Sequence, residues 1–394
     1  MFACLPRVRK TAIRIFSLLS VVWLAACDAV VVAPGGNAGN QIDPDAPVMV
    51  ALLVPGASSN PVDNLMAVNL ENAARMAIAD LQDVDIDLRV YNTSGDATIA
   101  SNQAISAVND GAAIILGPLY ADSANAVGVA VAGTGTNVIA FSNNPSIAGG
   151  NVFILGNTFA NTANRLVSYG RTQGLDNWLV VHGNDTQGAF GKAAIEQAVR
   201  NNGGTLSGIQ AYDMTQQSIL ESAPAIASAA RQSGADAVFL TGGIGADLSI
   251  VATALPEAGL SPATTRYVGL TLWDALPQAA ALPGLQGGYF AKPDVALAQA
   301  FENRYAGTYG DPPHPLASLA YDGIAAIGAL ASTGRRNALT TSSITQGAGF
   351  QGTSGIFRFL PDGTNQRGLA VAQIQNNQVV IVDPAPRSFG GTGF

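Results

Sequence analysis

The chain has 394 residues, a formal net charge of −8 and only 12% charged residues. That length leaves room for two average domains, each with its own core. The acidic balance excludes nucleic-acid binding through a general basic surface.

At the N-terminus, Arg7, Arg9, Lys10 and Arg14 precede an apolar stretch from Ile15 to Ala26, broken only by Ser17 and Ser20. The stretch is shorter than the roughly 20 apolar residues of a spanning helix. A basic flank and a short apolar core predict a secretory signal over residues 1–26, outside any fold reasoning. The stretch ends in Leu24-Ala25-Ala26-Cys27, which resembles the bacterial lipobox. In that motif the cysteine is acylated and the chain is cut just before it. The resemblance implies lipidation at Cys27 and anchoring to the outer or inner membrane, where several acyl chains hold better than one. Cys4 would leave with the signal, so no disulfide supports the mature chain and the core alone must stabilise it. Residues 27–47, punctuated by Gly, Asn and Pro, read as a flexible tether.

From Val48 the pattern alternates apolar runs with amphipathic helices. Val48–Val54 is continuously apolar, as a buried parallel strand should be. Helical spacing follows over 64–81. Then come strand 87–91, helix 98–109, strand 113–116, helix 123–132 and strands 138–141 and 152–155. A second run starts near Asn161: helix 162–173, strand 178–182, helix 189–201, strand 209–212, helix 218–232, strand 237–240, helix 246–258 and strands 267–270 and 288–291. Repeated β-α-β units build parallel sheets covered by helices. Two helices follow, over 296–309 and 316–333, with a third near Ser343. Past them, residues 355–359 alternate. Residues 369–375 and 379–382 flank Asn376-Asn377, a hairpin signal. The tail over 384–394 is expected to be mobile.

Several segments, in order, resemble type I periplasmic binding proteins, the leucine/isoleucine/valine-binding branch in particular. They are Pro55-Gly56, Leu116-Gly117-Pro118, Val138–Ser142, Val180–Asp185 with Gly188 and Gly191, Ala320-Tyr321-Asp322-Gly323, and Gly352–Phe359 followed by Asp362-Gly363. The resemblance implies an α/β fold of two doubly wound parallel-sheet lobes joined by a three-segment hinge. Lobe 1 is then expected over 46–157 and 291–345, and lobe 2 over 158–290 and 346–383.

Catalytic constellations are missing from the sequence. Its two histidines, His182 and His314, lie far apart, and there is no cysteine pair for zinc. No Gly-x-Ser-x-Gly elbow occurs, and the glycines between Gly183 and Lys192 lack a lysine placed to reach phosphate. These readings predict a binding protein, not an enzyme, with no cofactor and no metal.

In open α/β sheets ligands bind beyond the carboxyl ends of the strands. That rule selects Gly117, Pro118 and Tyr120 after one strand and Ser142 and Asn143 after another. On the facing lobe it selects Asp185, Thr186, Gln187 and Gly242. Trp273 follows a strand end and is a candidate for stacking on a ligand. In amino-acid-binding relatives a hydroxyl after a lobe-1 strand grips the carboxylate. Ser142 matches that position, while Pro118 and Leu119 stand where those relatives often carry hydroxyls.

The lipobox, the Leu-Leu-Val-Pro-Gly opening and Gly117-Pro118-Leu119-Tyr120 look most like envelope lipoproteins that activate class A penicillin-binding proteins in peptidoglycan synthesis. That resemblance implies a periplasmic, lipid-anchored partner of a peptidoglycan synthase, with a small polar ligand as an optional occupant of the cleft. The other expectation is a lipid-anchored solute receptor feeding an ABC importer.

Overall fold

The computed structural model describes residues 39–243, 245 and 247–390. The signal segment, Cys27 and the first part of the tether lie outside the described residues.

Five parallel strands form the first sheet: β1 (Val48–Val54), β2 (Ile86–Asn92), β3 (Ile114–Leu116), β4 (Asn137–Ala140) and β5 (Val152–Ile154). Their order is β2-β1-β3-β4-β5. Every residue of β1 is buried, because helices cover both faces of the sheet. Val50, Leu52 and Val54 point into one core, and Met49, Ala51 and Leu53 into the other. The crossover helices are α1 (Pro61–Ile78), α2 (Ala97–Asn109) and α3 (Ala121–Val131). Asn60 starts α1 by accepting from Val62 N, with Pro61 at the first position. Asp96 starts α2 by accepting from Ile99 N. Both satisfy backbone donors that have no partner inside the helix.

The second sheet has seven strands in the order β15-β14-β10-β9-β8-β6-β7. Parallel strands β6 (Asn177–Gly183), β7 (Thr205–Tyr212), β8 (Ala237–Leu240), β9 (Arg266–Gly269) and β10 (Tyr289–Lys292) alternate with α4 (Phe159–Thr172), α5 (Thr186–Asn201), α6 (Gln216–Gln232) and α7 (Asp247–Glu257). The hairpin β14 (Ala370–Gln375) and β15 (Gln378–Asp383) adds an antiparallel edge. Asn376 and Asn377 turn it with φ of 50° and 62°, the left-handed pair of a two-residue hairpin turn.

Between these runs lie α8 (Val295–Tyr309), α9 (Ala317–Ala331), α10 (Thr341–Ile344) and a small antiparallel sheet of β11 (Phe350–Gly352), β12 (Gly355–Phe359) and β13 (Asn365–Arg367). Phe350, Phe357 and Phe359 pack in the core shared by α1, β1 and α9. Ile154 N donates to Gly363 O at 2.9 Å. This corrects the expectation that residues 346–383 join the second lobe. Residues 350–367 build onto the first sheet, and only β14 and β15 join the second. The chain therefore passes between the lobes at 155–157, at 292–294 and at Gly368.

Two segments expected to be mobile make contacts where they are described. Ile42 is buried in the first core and its N–H meets Arg336 O at 2.8 Å, while Asn40 Nδ2 donates to Thr136 Oγ1 at 2.9 Å. Residues 39–46 are thus docked on the first lobe. In the tail, Ala385 is buried and the Phe389 ring lies 4.5 Å beneath the Arg358 guanidinium. Among the described residues, no helix is long and apolar enough to cross a membrane.

Candidate ligand cleft between the lobes

A cleft of about 860 Å³ opens where the strand ends of the first lobe meet the crossings. Its apolar wall includes Met66, Leu119, Phe141, Phe301 and Leu316. Ser142, Asn143 and Tyr120 line it from the loops after β4 and β3. Asn157, Ser354 and Arg367 line it at the crossings, and Leu272 reaches it from the second lobe. A second hollow of about 370 Å³ continues along the second lobe, sharing Asn157 and Leu272 and adding Phe159, Gln187 and Gly243.

Ser142 is only 5% exposed, and its Oγ accepts from Asn144 N at 3.1 Å. The hydroxyl proton is left for a ligand acceptor. Asn143 beside it is exposed. Tyr120 Oη donates to Asp63 Oδ1 at 2.6 Å. The Asp63 carboxylate, aided by burial, pushes the phenol up to about 12. Asp63 also accepts from Ser58 Oγ at 2.9 Å, so Tyr120 is held against the first lobe as a neutral, fixed wall. Gly117 and Pro118 serve the turn and are not among the residues lining the cleft. They are joined by a cis peptide, and Gly117 has φ of 90°. A Cβ on Gly117 would lie 2.2 Å from Leu53 O.

On the second lobe, Asp185 caps α5, its Oδ1 accepting from Gly188 N at 2.7 Å. Asp185 and Gln187 line a hollow of about 160 Å³ together with Met214, Gly243 and Asp247. Thr186 is exposed in the first turn of α5. Gly242 is buried, its carbonyl accepting from Thr271 Oγ1 at 2.8 Å. Neither Thr186 nor Gly242 lines the cleft or these hollows. Trp273 requires correction as a stacking residue. It is fully buried, 5.6 Å from Phe290 between ring centres, in the second-lobe core. Gly269 and Gly288 make the room: a Cβ on them would lie 2.1 Å and 2.8 Å from the indole.

Three contributors escaped the sequence reading. His314, noted in the sequence only as lying far from His182, lines the cleft. Its Nδ1 accepts from Leu316 N at 3.2 Å, and burial lowers its pKa, so the ring is a neutral acceptor there. Arg367, also missed, lines the floor with its side chain 6% exposed. Its Nε and Nη2 donate to Leu155 O at 3.0 and 2.7 Å. Its Nη1 lies 3.4 Å from Asp322 Oδ2 and 3.5 Å from Ser354 Oγ. Asp322, the third, is fully buried and accepts from Thr353 N at 2.7 Å and Thr353 Oγ1 at 2.9 Å. The order Ala-Tyr-Asp-Gly singled out Asp322 as a family feature but gave no sign of its partner 45 residues away. His182 stands apart, with Nδ1 2.9 Å from Gly183 O. Among the described residues, no group of three or more His, Cys, Asp or Glu comes together to hold a metal ion.

Two parallel-sheet lobes, three crossings and a deep cleft between them define a two-lobed binding protein. A family model described as periplasmic binding protein matches residues 47–378, and the chain belongs to that family. Solved structures agree in fold. A Rhodospirillum rubrum protein provisionally assigned to branched-chain amino acid ABC transport matches with TM-score 0.72 and 16% identity, over 86% of this chain and 100% of its own. An ABC transporter substrate-binding protein from Sphaerobacter thermophilus matches with TM-score 0.66 and 17% identity, over 89% and 100%. One from Desulfitobacterium hafniense, in complex with Leu, matches with TM-score 0.60 and 17% identity, over 86% and 100%. No curated protein sequence matches the chain.

Proposed function

We propose that the chain is an exported solute receptor whose lobes close on a small ligand with an apolar body and a hydrogen-bonding head. The carrying observation is the cleft itself. It sets Met66, Leu119, Phe301 and Leu316 beside Ser142, Asn143 and Asn157, at the crossings between the lobes. A largely apolar hollow with a few converging polar groups is the usual form of a small-molecule site. Closing two lobes around it turns binding energy into a change of shape. The solved relatives point the same way, being named for ABC transport and in one case holding Leu. They favour the receptor reading over contact with a class A penicillin-binding protein, which no feature among the described residues singles out. Export to the periplasm, with Cys27 as lipid anchor, completes the proposal. A tether on a membrane would raise the local concentration of receptor at a permease.

Calorimetry of the purified protein against the amino acids and small aromatic acids tests the proposal. One member should bind, and Ser142→Ala should weaken it by about 1–3 kcal/mol, the cost of a buried polar group left without its partner. No binding across the panel, together with measurable binding to a class A penicillin-binding protein, would replace the receptor reading with the activator one. For the anchor, Cys27→Ser should abolish labelling by a radioactive fatty acid.

A further inference from the structure

Behind the cleft floor lies a separate hollow of about 190 Å³, and every residue lining it is Asn, Gln or Arg. It sits between α4 and α5 of the second lobe and β13 of the first, so both lobes contribute. Arg165 and Arg367, at 4% and 7% exposure, are its two charged residues, and no carboxylate lines it. Burying two guanidiniums at a lobe junction is costly unless their N–H groups find acceptors.

Much of that demand is met away from the hollow. Arg165 Nε donates to Leu369 O at 2.6 Å, and its Nη2 to Asp383 Oδ2 at 2.7 Å and Pro384 O at 3.3 Å. Arg367 is tied to Leu155 O and faces Asp322. Arg165 Nη1, however, has no partner among the described residues. Gln366 spends its Oε1 on Arg358 Nε and Nη2, at 2.8 and 2.6 Å, and its Nε2 has no partner either. Two acceptors are also open. Asn161 uses only Nδ2, toward Asn365 Oδ1 at 2.7 Å, and Asn202 uses Nδ2 toward Ala198 O at 2.8 Å. The hollow therefore offers guanidinium and amide donors together with amide carbonyl acceptors.

From this geometry we propose a second ligand site here, for a compact oxyanion that also carries a hydroxyl. Charge-assisted bonds from arginine to such oxygens are stronger than neutral ones and match the planar fork of the guanidinium. The carbonyls of Asn161 and Asn202 would take the hydroxyl proton. A water takes up about 30 Å³ in the liquid, so the hollow admits a tetrahedral oxyanion with a few waters. Because the occupant would join α4 and α5 to β13, it would also bias the relative disposition of the lobes and hence the affinity of the cleft. This site is independent of what the cleft itself binds.

The experiment is titration of the whole purified protein with inorganic phosphate at constant ionic strength, followed by calorimetry and phosphorus NMR, with sulfate and chloride as comparators. Phosphate should bind saturably at one equivalent and sulfate, which lacks the proton at neutral pH, several-fold more weakly. Gln366→Glu keeps an acceptor for Arg358, and Asn202→Asp changes a half-exposed residue. Each adds a carboxylate to the lining, and each should weaken phosphate about tenfold or more by like-charge repulsion. A phosphate response no larger than that of chloride overturns the proposal. So does saturable binding that both variants leave unchanged, or that Ser142→Ala abolishes, since either would locate the anion elsewhere.

Discussion

Replacing Asp322 by Asn is expected to cost about 3–5 kcal/mol, the usual penalty for stranding one member of a buried ion pair. Asp322 lies in α9 with no exposed surface, and Arg367 is 7% exposed. Burial pushes the carboxyl up from its ordinary range and the guanidinium down, because each charge has lost its water. Their mutual attraction and the two bonds from Thr353 offset that loss only while both are present. The asparagine would keep an acceptor for Thr353 N but leave the guanidinium with Leu155 O and the Phe357 ring, 5.1 Å away. Asp80, paired with Arg304, is the internal comparison. Those side chains are 32% and 46% exposed, so Asp80→Asn should cost about 1 kcal/mol or less. Urea unfolding at neutral pH reads both, with equal slopes confirming that the same surface unfolds. Adding Arg367→Met to Asp322→Asn should cost less than the two single losses together, by roughly 1 kcal/mol or more of coupling. If Asp322→Asn loses no more than Asp80→Asn, the pair is not what holds the crossings.

Trp273→Ala should cost about 3–5 kcal/mol, as for other buried aromatic truncations. Trp273→Phe should cost much less, because Nε1 has no partner to lose, and cleft affinity measured by calorimetry should be unchanged in the phenylalanine variant. Asn377→Val should destabilise by about 1–2 kcal/mol, the price of a left-handed β-branched residue, whereas Asn377→Gly should not; thermal unfolding separates them. His314 has a folded pKa below its unfolded value, so the unfolded chain binds more protons as the pH falls from the ordinary histidine value toward the lower folded one. Its contribution is present above that range and lost as the pH drops through it. His314→Asn, which retains an acceptor for Leu316 N, should flatten that part of the stability–pH curve.

Periodicity carried the sheets because their burial is written locally. The unbroken apolar run of β1 requires cover on both faces, and Asn376-Asn377 between two short apolar runs requires a tight turn. The small sheet was harder to place. Alternation over 355–359 announces a strand with one buried face but not the lobe that buries it. That choice is made by Phe153, which meets Phe359 edge-on at 5.9 Å from some 200 residues earlier in the chain. The same limit applied to Trp273. A tryptophan just past a strand end suits a cleft or a core equally well. The structural answer rests on Gly269 and Gly288, whose missing side chains leave a slot for the indole. At the cleft, strand-end positions located Ser142, Asn143 and Tyr120. Residues supplied by the crossings, such as Asn157 and Arg367, had no such marker.

That failure has a physical cause rooted in the crossings themselves. A crossing strand belongs to neither sheet, so its carbonyls lack ladder partners and must be satisfied by side chains from elsewhere. Leu155 O takes two bonds from Arg367, Gly156 O takes Asn365 Nδ2 at 2.9 Å, as does Ile154 O at the end of β5 at 2.7 Å, and Leu369 O, just past the third crossing, takes Arg165 Nε. Ser354 O receives the N–H of Asp294 at 2.9 Å, which ties the second crossing to the same cluster. The first and third crossings are therefore held by long polar side chains brought together only in the fold, and the second by a backbone bond. Asn365 and Arg367 reach the first crossing from beside the third, and Asn161 of α4 donates to Asn365 Oδ1. The Asn161–Asn365 bond joins α4 of the second lobe to β13 of the first, so a change in the disposition of the lobes must work against it. The floor of the cleft is thus also the joint of the molecule, and a ligand touching Asn157, Ser354 or Arg367 acts on both at once.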